Sequence, residues 1–389
     1  MKCRIAIVHN IVAPYRHPAF EKISEDPRLE VTVYYCSWGY PGRIWDAFPR
    51  KYQYKYKFLH GATMKGLFFN PGIIFELIKN RFDAIIIGEW MYVTMQIAFI
   101  MGKLLRIPVL LWTEGIREPW SFAGSVTKAV RMLLIQKADA VVVPGNMSKD
   151  YVVSMGAHKS KVIIAPNTID NEFFIKLGSE YKKSKERLKK ELQLKTQKVV
   201  LCVGQLIERK GVDILVRAYG RLRHEYKGVT LVLIGSGPLS DHLRNMCRSG
   251  NISDVRFIGS GLELKDLIKY YAIADFFVFP TLFDVWGFVV NEAMASGLPV
   301  ISTKNAQAAR EMIREGENGY IINGGSEEEL YLAMKKLLDS EELERMGRKS
   351  LEIVNAEFSP LLMKEAFVKA IHYALLTNMV HKEGSEDIS

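Results

Sequence analysis

The sequence predicts an α/β protein with two domains, each built around a parallel sheet. The 389-residue chain is long enough for two separate hydrophobic cores. Short apolar runs alternate with amphipathic stretches in both halves of the chain, which is the pattern of βαβ units. The hydrophobic content of 48% and the charged content of 25% are ordinary for a folded globular protein.

The first series of apolar runs predicts an N-terminal domain over residues 1–172. Its expected strands are residues 4–8, 31–35, 84–87, 109–112, 140–143 and 162–165. The helices expected between them are residues 15–24, 72–79, 91–105, 125–136 and 148–155. Short apolar strands joined by amphipathic helices favour a parallel sheet with helical crossovers.

The second series predicts a C-terminal domain over residues 199–358. A polar and basic segment, residues 173–198, precedes it and is interpreted as a linker with a solvated helix. The expected strands are residues 199–203, 230–234, 255–258, 276–279, 300–302 and 319–322, and the last helices are residues 327–338 and 340–356. A final helix over about residues 360–378 and a short flexible tail, residues 380–389, complete the prediction.

Cysteine usage and hydropathy argue against several classes of protein. The four cysteines (Cys3, Cys36, Cys202 and Cys247) have no CxxC spacing, which disfavours a disulfide framework or a zinc site and fits a reducing cytoplasm. The first residues lack the apolar core of a secretory signal. The most apolar segment, residues 91–112, contains two basic residues and a proline, so it is too interrupted for a membrane-spanning helix. We expect a cytoplasmic protein.

The net charge of +10 lies mostly in the first domain. Residues 1–170 hold 22 Lys and Arg against 13 Asp and Glu, whereas the rest of the chain holds 31 against 30. The cations Lys103, Arg106, Arg117, Lys128, Arg131 and Lys137 lie among the apolar residues Phe99, Met101, Leu104, Leu105, Trp120, Phe122, Met132 and Leu133. This mixture predicts peripheral contact with an anionic membrane surface, the alternative being ordinary helices with solvated charges. No basic stripe with stacking aromatic residues occurs, so no nucleic-acid partner is expected.

The most informative stretch of the chain contains two acidic residues eight positions apart, Asp284 and Glu292. Asp284 follows a buried strand, and Glu292 lies about a turn and a half inside a helix that opens near Gly287. The start of a helix favours a phosphate, because its backbone N–H groups and macrodipole are both positive there. Acceptor groups on both sides of a phosphate suit a nucleotide sugar. The alternative is an amphipathic helix with a solvated glutamate.

The string from Phe283 to Val300 resembles the acidic-x7-acidic motif of retaining glycosyltransferases of family 4 (glycosyl transferases group 1). These enzymes have the GT-B fold, in which two Rossmann-like domains face each other across a cleft. The resemblance implies that Asp284 holds hydroxyls of the donor sugar and that Glu292 holds the ribose. It further implies donor contacts from the intervening residues, which are Trp286, Gly287, Phe288 and Val289, with backbone N–H groups of Gly287 and Phe288 on the phosphate. The family usually has Glu where this chain has Asp284.

Two glycine-containing loops complete the implied donor site. Residues 203–213 resemble the family loop Gly-Arg-Leu-x-x-x-Lys-Gly, with Gly204 and Lys210 matching and Gln205 in the place of the arginine. Lys210, helped by Arg209, would supply positive charge to the leaving diphosphate, so Lys210 and Asp284 are the implied catalytic residues. The remaining implied donor contacts are Gly235, in a turn after a strand, and Phe257 and Ile258, in the segment that walls the base. Uridine is the commonest base in the family.

The acceptor side is expected at strand ends of the first domain, which offer His9, Arg16, Glu89 and Glu114. The Pro-Tyr-Arg opening that contains Arg16 resembles a bacterial subset of the family, and Arg16 is a candidate contact for an acceptor phosphate or acidic sugar. The alternative is a solvated arginine at a helix start. None of these residues is identified as a catalytic base, because retaining members are thought to use the leaving phosphate for the acceptor proton.

No Asp-x-Asp occurs in the chain, and that motif normally holds the metal ion of metal-dependent GT-A enzymes. Lys210 and a helix N-terminus can take the place of the metal, so we expect no metal and no cofactor. The hypothesis is a retaining hexosyl-type transferase that moves a sugar from a nucleoside-diphosphate sugar to a lipid-linked glycan at the inner face of the cell membrane. UDP is the expected nucleoside diphosphate. The rivals are a GT-B nucleotide-sugar 2-epimerase and a non-catalytic nucleotide-sugar-binding protein. An NAD oxidoreductase is the weakest rival, since no GxGxxG follows the first strand.

Overall fold

The computed structural model describes residues 2–39, 52–64, 67–117 and 125–386. The chain forms two compact units. Unit 1 comprises Met1–Ile169 and Pro360–Ser389, and unit 2 comprises Asp170–Ser359. Each contains a parallel sheet with helices between the strands, so the prediction of two α/β domains is confirmed.

Unit 1 contains a parallel sheet in the order β3-β2-β1-β6-β7-β8-β9. The strands of this unit are β1 (Cys3–Ile11), β2 (Leu29–Ser37), β3 (Lys55–Phe58), β4 (Ala62–Met64), β5 (Leu67–Phe69), β6 (Ala84–Gly88), β7 (Val109–Trp112), β8 (Ala140–Val143) and β9 (Val162–Ile164). Strands β4 and β5 form a separate antiparallel hairpin. The predicted strands are present, and the sequence missed β3, β4 and β5, which are short and carry exposed residues.

One face of this sheet is covered by four helices in succession. They are α2 (Gly72–Asn80), α3 (Val93–Leu104), α4 (Ser125–Lys137) and α5 (Asn146–Ser154), and α1 (His17–Ser24) packs on the opposite face. Each crossover helix buries an apolar stripe against strands that are apolar on both faces, as parallel strands between two layers must be.

Unit 2 contains a parallel sheet in the order β12-β11-β10-β13-β14-β15. Its strands are β10 (Lys198–Val203), β11 (Val229–Ile234), β12 (Val255–Ile258), β13 (Phe276–Phe279), β14 (Val300–Thr303) and β15 (Gly319–Ile322). Its helices are α6 (Asn171–Lys182), α7 (Lys185–Glu191), α8 (Val212–Glu225), α9 (Ser240–Ser249), α10 (Leu264–Ile273), α11 (Phe288–Ala295), α12 (Gln307–Met312), α13 (Glu327–Leu338) and α14 (Leu343–Glu357). The chain reverses its direction across the sheet between β10 and β13, and such a switch point places ligands beyond the carboxyl ends of the strands.

The structure corrects the predicted linker at residues 173–198. Helices α6 and α7 belong to unit 2, where α6 packs on α10 and the side chain of Phe174 is buried. The Asn171 side chain donates a hydrogen bond to the carbonyl of Phe358, 3.0 Å away. The basic composition was misleading because long side chains can bury their stems: Lys189 is buried, and its ammonium group binds the carbonyl of Gln197 at 3.0 Å.

The last helix, α15 (Pro360–Glu386), packs on the sheet of unit 1. Its buried face consists of Met363, Phe367, Ala370, Ile371 and Ala374, at helical spacing. The ring of Phe367 meets that of Trp112 edge to face, with ring centroids 4.7 Å apart. The helix continues to Glu386, which corrects its predicted end near residue 378.

We expect Phe367→Ala to destabilise the protein by about 3–5 kcal/mol, because truncating a fully buried phenylalanine removes apolar contacts and leaves a cavity. Leu361→Ala is the matched control, since Leu361 lies on the same helix and is exposed. Urea unfolding monitored by tryptophan fluorescence would measure both. Equal, small effects of the two substitutions would contradict the packing of α15 in the core of unit 1.

Candidate active site

The loop between β10 and α8 carries the two basic residues of the predicted donor site. Glu208–Lys210 form one 3-10 turn, and Gly211 follows with φ of +61°. A Cβ atom on Gly211 would lie 2.5 Å from the carbonyl oxygen of Pro280, which follows β13. The loops after β10 and β13 therefore lie directly against each other, and only glycine at position 211 permits this approach.

Lys210 and Asp284 meet where these loops touch. The ammonium group of Lys210 donates to Oδ2 of Asp284 and lies over the ring of Phe279, 4.8 Å from its centroid. The nearest guanidinium nitrogen of Arg209 is 3.6 Å from the same carboxylate oxygen. Burial lowers the pKa of Lys210, and the charge of Asp284 opposes that shift. The two residues expected to act in catalysis are therefore brought together, with two cations beside one carboxylate.

A set of buried polar side chains fixes the loop that carries Asp284. Three side chains donate hydrogen bonds to backbone carbonyls of this loop. The hydroxyl of Thr303 donates to the carbonyl of Thr281 at 2.6 Å. The side-chain amides of Asn305 and Gln307 donate to the carbonyls of Leu282 at 2.9 Å and Val285 at 2.8 Å, respectively. Arg209 also donates to the carbonyl of Phe283 at 2.6 Å. Thr303, Asn305 and Gln307 were not predicted from the sequence. Their signal was a run of polar residues that begins at the end of an apolar strand, β14.

The start of α11 separates the two acidic residues. Gly287 precedes the helix, and Phe288 and Val289 in its first turn are half-buried. The Trp286 side chain is fully buried, and its Nε1 donates to Oδ1 of Asn291 at 2.8 Å. The expectation that Trp286 contacts the donor is thus corrected for its side chain, which belongs to the core.

Glu292 lies in the second turn of α11 and has a tyrosine as its hydrogen-bond partner. The hydroxyl of Tyr271, on α10, donates to Oε2 of Glu292 at 2.7 Å. Burial raises the pKa of Glu292 to about 7, although the hydrogen bond from Tyr271 opposes the shift. This carboxyl group can accept hydrogen bonds from ligand hydroxyls. Tyr271 could not be predicted from the motif around Glu292, because it lies in the preceding βα unit.

Two glycine turns are joined by close backbone contact at the ends of β10 and β11. Gly235 has φ of +145°, and a Cβ atom there would lie 1.9 Å from the carbonyl oxygen of Gly204. The amide of Leu206 donates to the carbonyl of Ser236 at 3.0 Å, which joins the turns further. The side chain of Gln205 is exposed beside them. The structure therefore places Gly204 and Gly235 together, as expected of one ligand-facing edge.

The predicted wall for the nucleotide base lies on the edge strand β12. The ring of Phe257 packs on the core of unit 2, and the guanidinium carbon of Arg244 lies 4.5 Å from its centroid. The side chain of Phe257 thus contacts both the core of unit 2 and Arg244, so we expect a base to contact this residue mainly through its backbone atoms. Ile258 is half-buried and leads into an open turn at Gly259 and Gly261, where an added Cβ would meet no atom within 4 Å.

Arg16 and Glu114 form a buried ion pair at the strand ends of unit 1. One guanidinium nitrogen of Arg16 lies 2.6 Å from Oε1 of Glu114, and the other lies 3.1 Å from Oδ1 of Asn167. The guanidinium also stacks over Trp112, with its carbon 4.3 Å from the ring centroid. Arg16 is therefore held by its neighbours, which corrects the alternative of a solvated arginine and disfavours a direct role as an acceptor-phosphate contact.

Two further acceptor-side candidates, His9 and Glu89, lie beside this pair. His9 is buried, its Nδ1 lies 3.0 Å from the carbonyl oxygen of Ile11, and burial together with the charge of Arg16 lowers its pKa to about 3. Burial and the nearby Glu114 raise the pKa of Glu89 to about 7. Glu89 also has φ of +73°, an uncommon conformation for a residue with a side chain. Glu89 can thus hold a proton near neutral pH.

Within the described residues, no group of three or more His, Cys, Asp or Glu side chains is arranged to hold a metal ion. The four cysteines are free thiols. Over the same part of the chain, the helices lack a stretch both long and apolar enough to cross a bilayer.

Comparisons with known proteins find curated relatives that match about two thirds to three quarters of the chain. The family model for glycosyl transferases group 1 matches residues 184–351. The spore coat protein SA of Bacillus subtilis is 31% identical over 298 residues, which cover 73% of this chain and 76% of that protein. A GDP-mannose-dependent alpha-(1-6)-phosphatidylinositol monomannoside mannosyltransferase of Mycobacterium tuberculosis is 28% identical over 259 residues, or 64% of this chain and 66% of that protein.

A solved structure of Anabaena HepE in complex with UDP is similar over 96% of this chain and 100% of that one. The TM-score is 0.75 and the sequence identity is 18%, so this likeness bears on the fold. The two parallel-sheet units thus have the GT-B architecture that the sequence predicted. The family model and the relative that is 31% identical show that the chain belongs to the glycosyl transferases group 1 family.

Proposed function

We propose that the protein is a retaining glycosyltransferase that moves a hexose-type sugar from a nucleoside-diphosphate sugar to a glycan acceptor. The observation that carries the proposal is the placement of Asp284 and Glu292 before and within α11, with Lys210 against Asp284. A carboxylate with adjacent cations suits a sugar diphosphate, and a second carboxyl group on the other side of a helix start suits a ribose.

In this proposal Lys210 and Arg209 stabilise the negative charge that develops on the diphosphate as the anomeric C–O bond breaks. The positive charge of Lys210 is paired with the carboxylate of Asp284, so a diphosphate that binds here shares the Lys210 ammonium group with that carboxylate. Asp284 then accepts hydrogen bonds from sugar hydroxyls, and Glu292 accepts them from the ribose. The acceptor oxygen bonds to the anomeric carbon on the face that the diphosphate leaves, and the leaving phosphate takes the acceptor proton.

The donor and the acceptor are proposed from relatives. UDP is favoured because it is bound by HepE, whose fold is similar, although the mycobacterial relative is named for GDP-mannose. The same relative is named for a phosphatidylinositol monomannoside, a lipid carrying a sugar, which supports a lipid-linked acceptor here. Such an acceptor would place the enzyme at the cytoplasmic face of the cell membrane. We propose metal-independent transfer without a cofactor, since Lys210 and Arg209 supply the charge.

The proposal is tested by thermal shift against UDP-, GDP- and ADP-sugars. We expect one nucleotide sugar to raise the melting temperature, since a ligand at a hundredfold excess over its dissociation constant adds about 2.7 kcal/mol of stability. Glu292→Ala should abolish the shift, and Glu344→Ala, which removes a carboxylate exposed on α14, should retain it.

Turnover assays with the same donor separate the rival functions. Sugar transfer to an acceptor with retention at the anomeric carbon, read by NMR, is the expected result. Conversion of the donor alone would identify an epimerase instead. Tight binding with no turnover in the presence of membrane extract as acceptor source would identify a nucleotide-sugar-binding protein.

We expect Lys210→Met to lower kcat about 10²–10³-fold, because it removes a preorganised cation from the leaving group. Lys265→Met, which removes an exposed lysine of α10, is the control and should leave kcat unchanged. Transfer by the wild type should persist in EDTA, and Mn²⁺ should not rescue Lys210→Met. Loss of wild-type transfer in EDTA with recovery in Mn²⁺ would overturn the metal-independent mechanism.

Glu292→Gln should stabilise the protein above pH 7 by about 1–3 kcal/mol, because the wild type must ionise a carboxyl group that burial keeps protonated. The folded-state pKa is raised, so the wild type loses stability relative to the variant as pH rises from about 4.5 to about 7. The difference should vanish toward the lower end of that range. Chemical denaturation across pH measures it, and Glu344→Gln, with its exposed carboxylate, should show no such trend.

A further inference from the structure

Large apolar side chains are exposed together on one surface of unit 1. This apolar surface consists of Leu67 and Phe69 on β5, Phe75 and Ile78 on α2, and Ile100 and Leu104 on α3, each of them 51–71% exposed. On α3, Ile100 and Leu104 continue the line of Val93, which is also exposed, at spacings of seven and four residues. That spacing keeps all three on one side of the helix.

These residues share one layer of the fold and point away from the sheet. Helix α2 and strand β5 both pack against α3. The inner residues of the same elements, such as Phe68, Leu77 and Ala98, are buried on the sheet. The residues of the apolar surface lie on the other side of these elements and face solvent, where the side chains of a helix are normally polar.

Unit 2 provides an internal comparison, because it has the same type of fold. Among its described residues, the large apolar side chains that are exposed are Leu264 on α10 and Leu332 on α13, one on each helix. In unit 1 the other exposed large apolar side chains are scattered over several elements, and examples are Trp38 after β2, Leu133 on α4 and Leu361 and Leu376 on α15. The apolar surface is thus a local feature of β5, α2 and α3, and contiguous exposed apolar patches mark interaction sites.

The charge next to the apolar surface is positive. Exposed cations stand at the ends of three successive helices, just before the following strands: Lys79 in the last turn of α2 and Arg81 after it, Arg106 after α3 and Lys137 at the end of α4. Because helices α2, α3 and α4 all run back to the amino ends of the strands, these cations form a basic rim along one edge of the layer. Asp83 and Asp139 lie at the same edge, where Asp139 pairs with Lys103 of α3, but no Asp or Glu occurs in residues 90–113 or 119–138.

We propose that the apolar surface rests on an anionic bilayer, with its side chains in the headgroup region and the basic rim on lipid phosphates. Buried apolar area and attraction to anionic lipid together hold such a surface in place. The location differs from the sequence expectation, since Phe99 is buried and Met101 and Met132 are half-buried. Leu104, Leu105 and Leu133 are exposed as expected, while Trp120 and Phe122 lie outside the described residues. The inference does not depend on the donor or on the reaction.

The test is co-sedimentation with vesicles of phosphatidylglycerol and phosphatidylcholine in equal parts, compared with phosphatidylcholine alone. The wild type should bind the anionic vesicles, and the double variant Ile100→Glu with Leu104→Glu should bind roughly tenfold more weakly or worse, since two anchors become anionic. The control is Leu264→Glu with Leu332→Glu, which places the same charges on unit 2 and should bind like the wild type.

A second variant isolates the basic rim. Replacing Lys79, Arg81 and Arg106 by Gln should remove the preference for anionic vesicles and most of the salt dependence of binding. Nucleotide-sugar binding, measured by thermal shift, should be unchanged in every variant and reports folding independently of vesicles. The proposal is overturned if the wild type does not bind anionic vesicles or if the two Glu double variants bind them equally well. It is also overturned if light scattering shows a dimer that only Ile100→Glu with Leu104→Glu dissociates, which would make the surface a protein interface.

Discussion

The ion pair between Lys210 and Asp284 is the contact on which the candidate site depends. It joins the loops after β10 and β13, the two central strands at which the chain reverses across the sheet. A buried ion pair is a poor source of stability, because desolvation offsets most of the attraction. Polar side chains at and after the end of β14, such as Thr303 and Asn305, nevertheless hold the loop that carries Asp284 in position. Hydrogen bonds that hold a buried ion pair in place at a cost in stability are characteristic of a preorganised binding site for a charged ligand.

The two acidic residues of the motif lie in different electrostatic surroundings. Asp284 has two cations beside it, whereas Glu292 has a neutral phenol, that of Tyr271. Burial therefore disfavours ionisation of Glu292, and the hydrogen bond from Tyr271 opposes that effect only in part. Hydroxyl donors from a ribose, as in the proposed function, would stabilise the charged form of this carboxyl group.

The sequence predicted the elements well where local pattern decides the structure. Buried parallel strands are continuous apolar runs, so β10 and β13 were found within one residue, while the edge strand β3, which carries exposed lysines, was missed. The motif residues followed from resemblance and local spacing. Their partners did not, because Tyr271 and Thr303 reach the site through tertiary contacts that no spacing encodes. Trp286 was misassigned for the same reason: an aromatic residue in a motif can equally fill the core beneath it.

The positive charge of unit 1 illustrates why a charge count cannot locate a binding surface. At the carboxyl ends of the strands, Arg16 is matched by Glu114, and Arg131 stacks on Trp90 and binds the hydroxyl of Tyr151. At the amino ends of the strands, the cations that close α2, α3 and α4 stay exposed. The cations at the amino ends of the strands are therefore available to solvent, at the edge of the sheet opposite the pair of Arg16 and Glu114. A long-range field from that edge would orient unit 1 toward an anionic surface before any apolar contact forms, because electrostatic attraction acts over a Debye length and apolar contact does not.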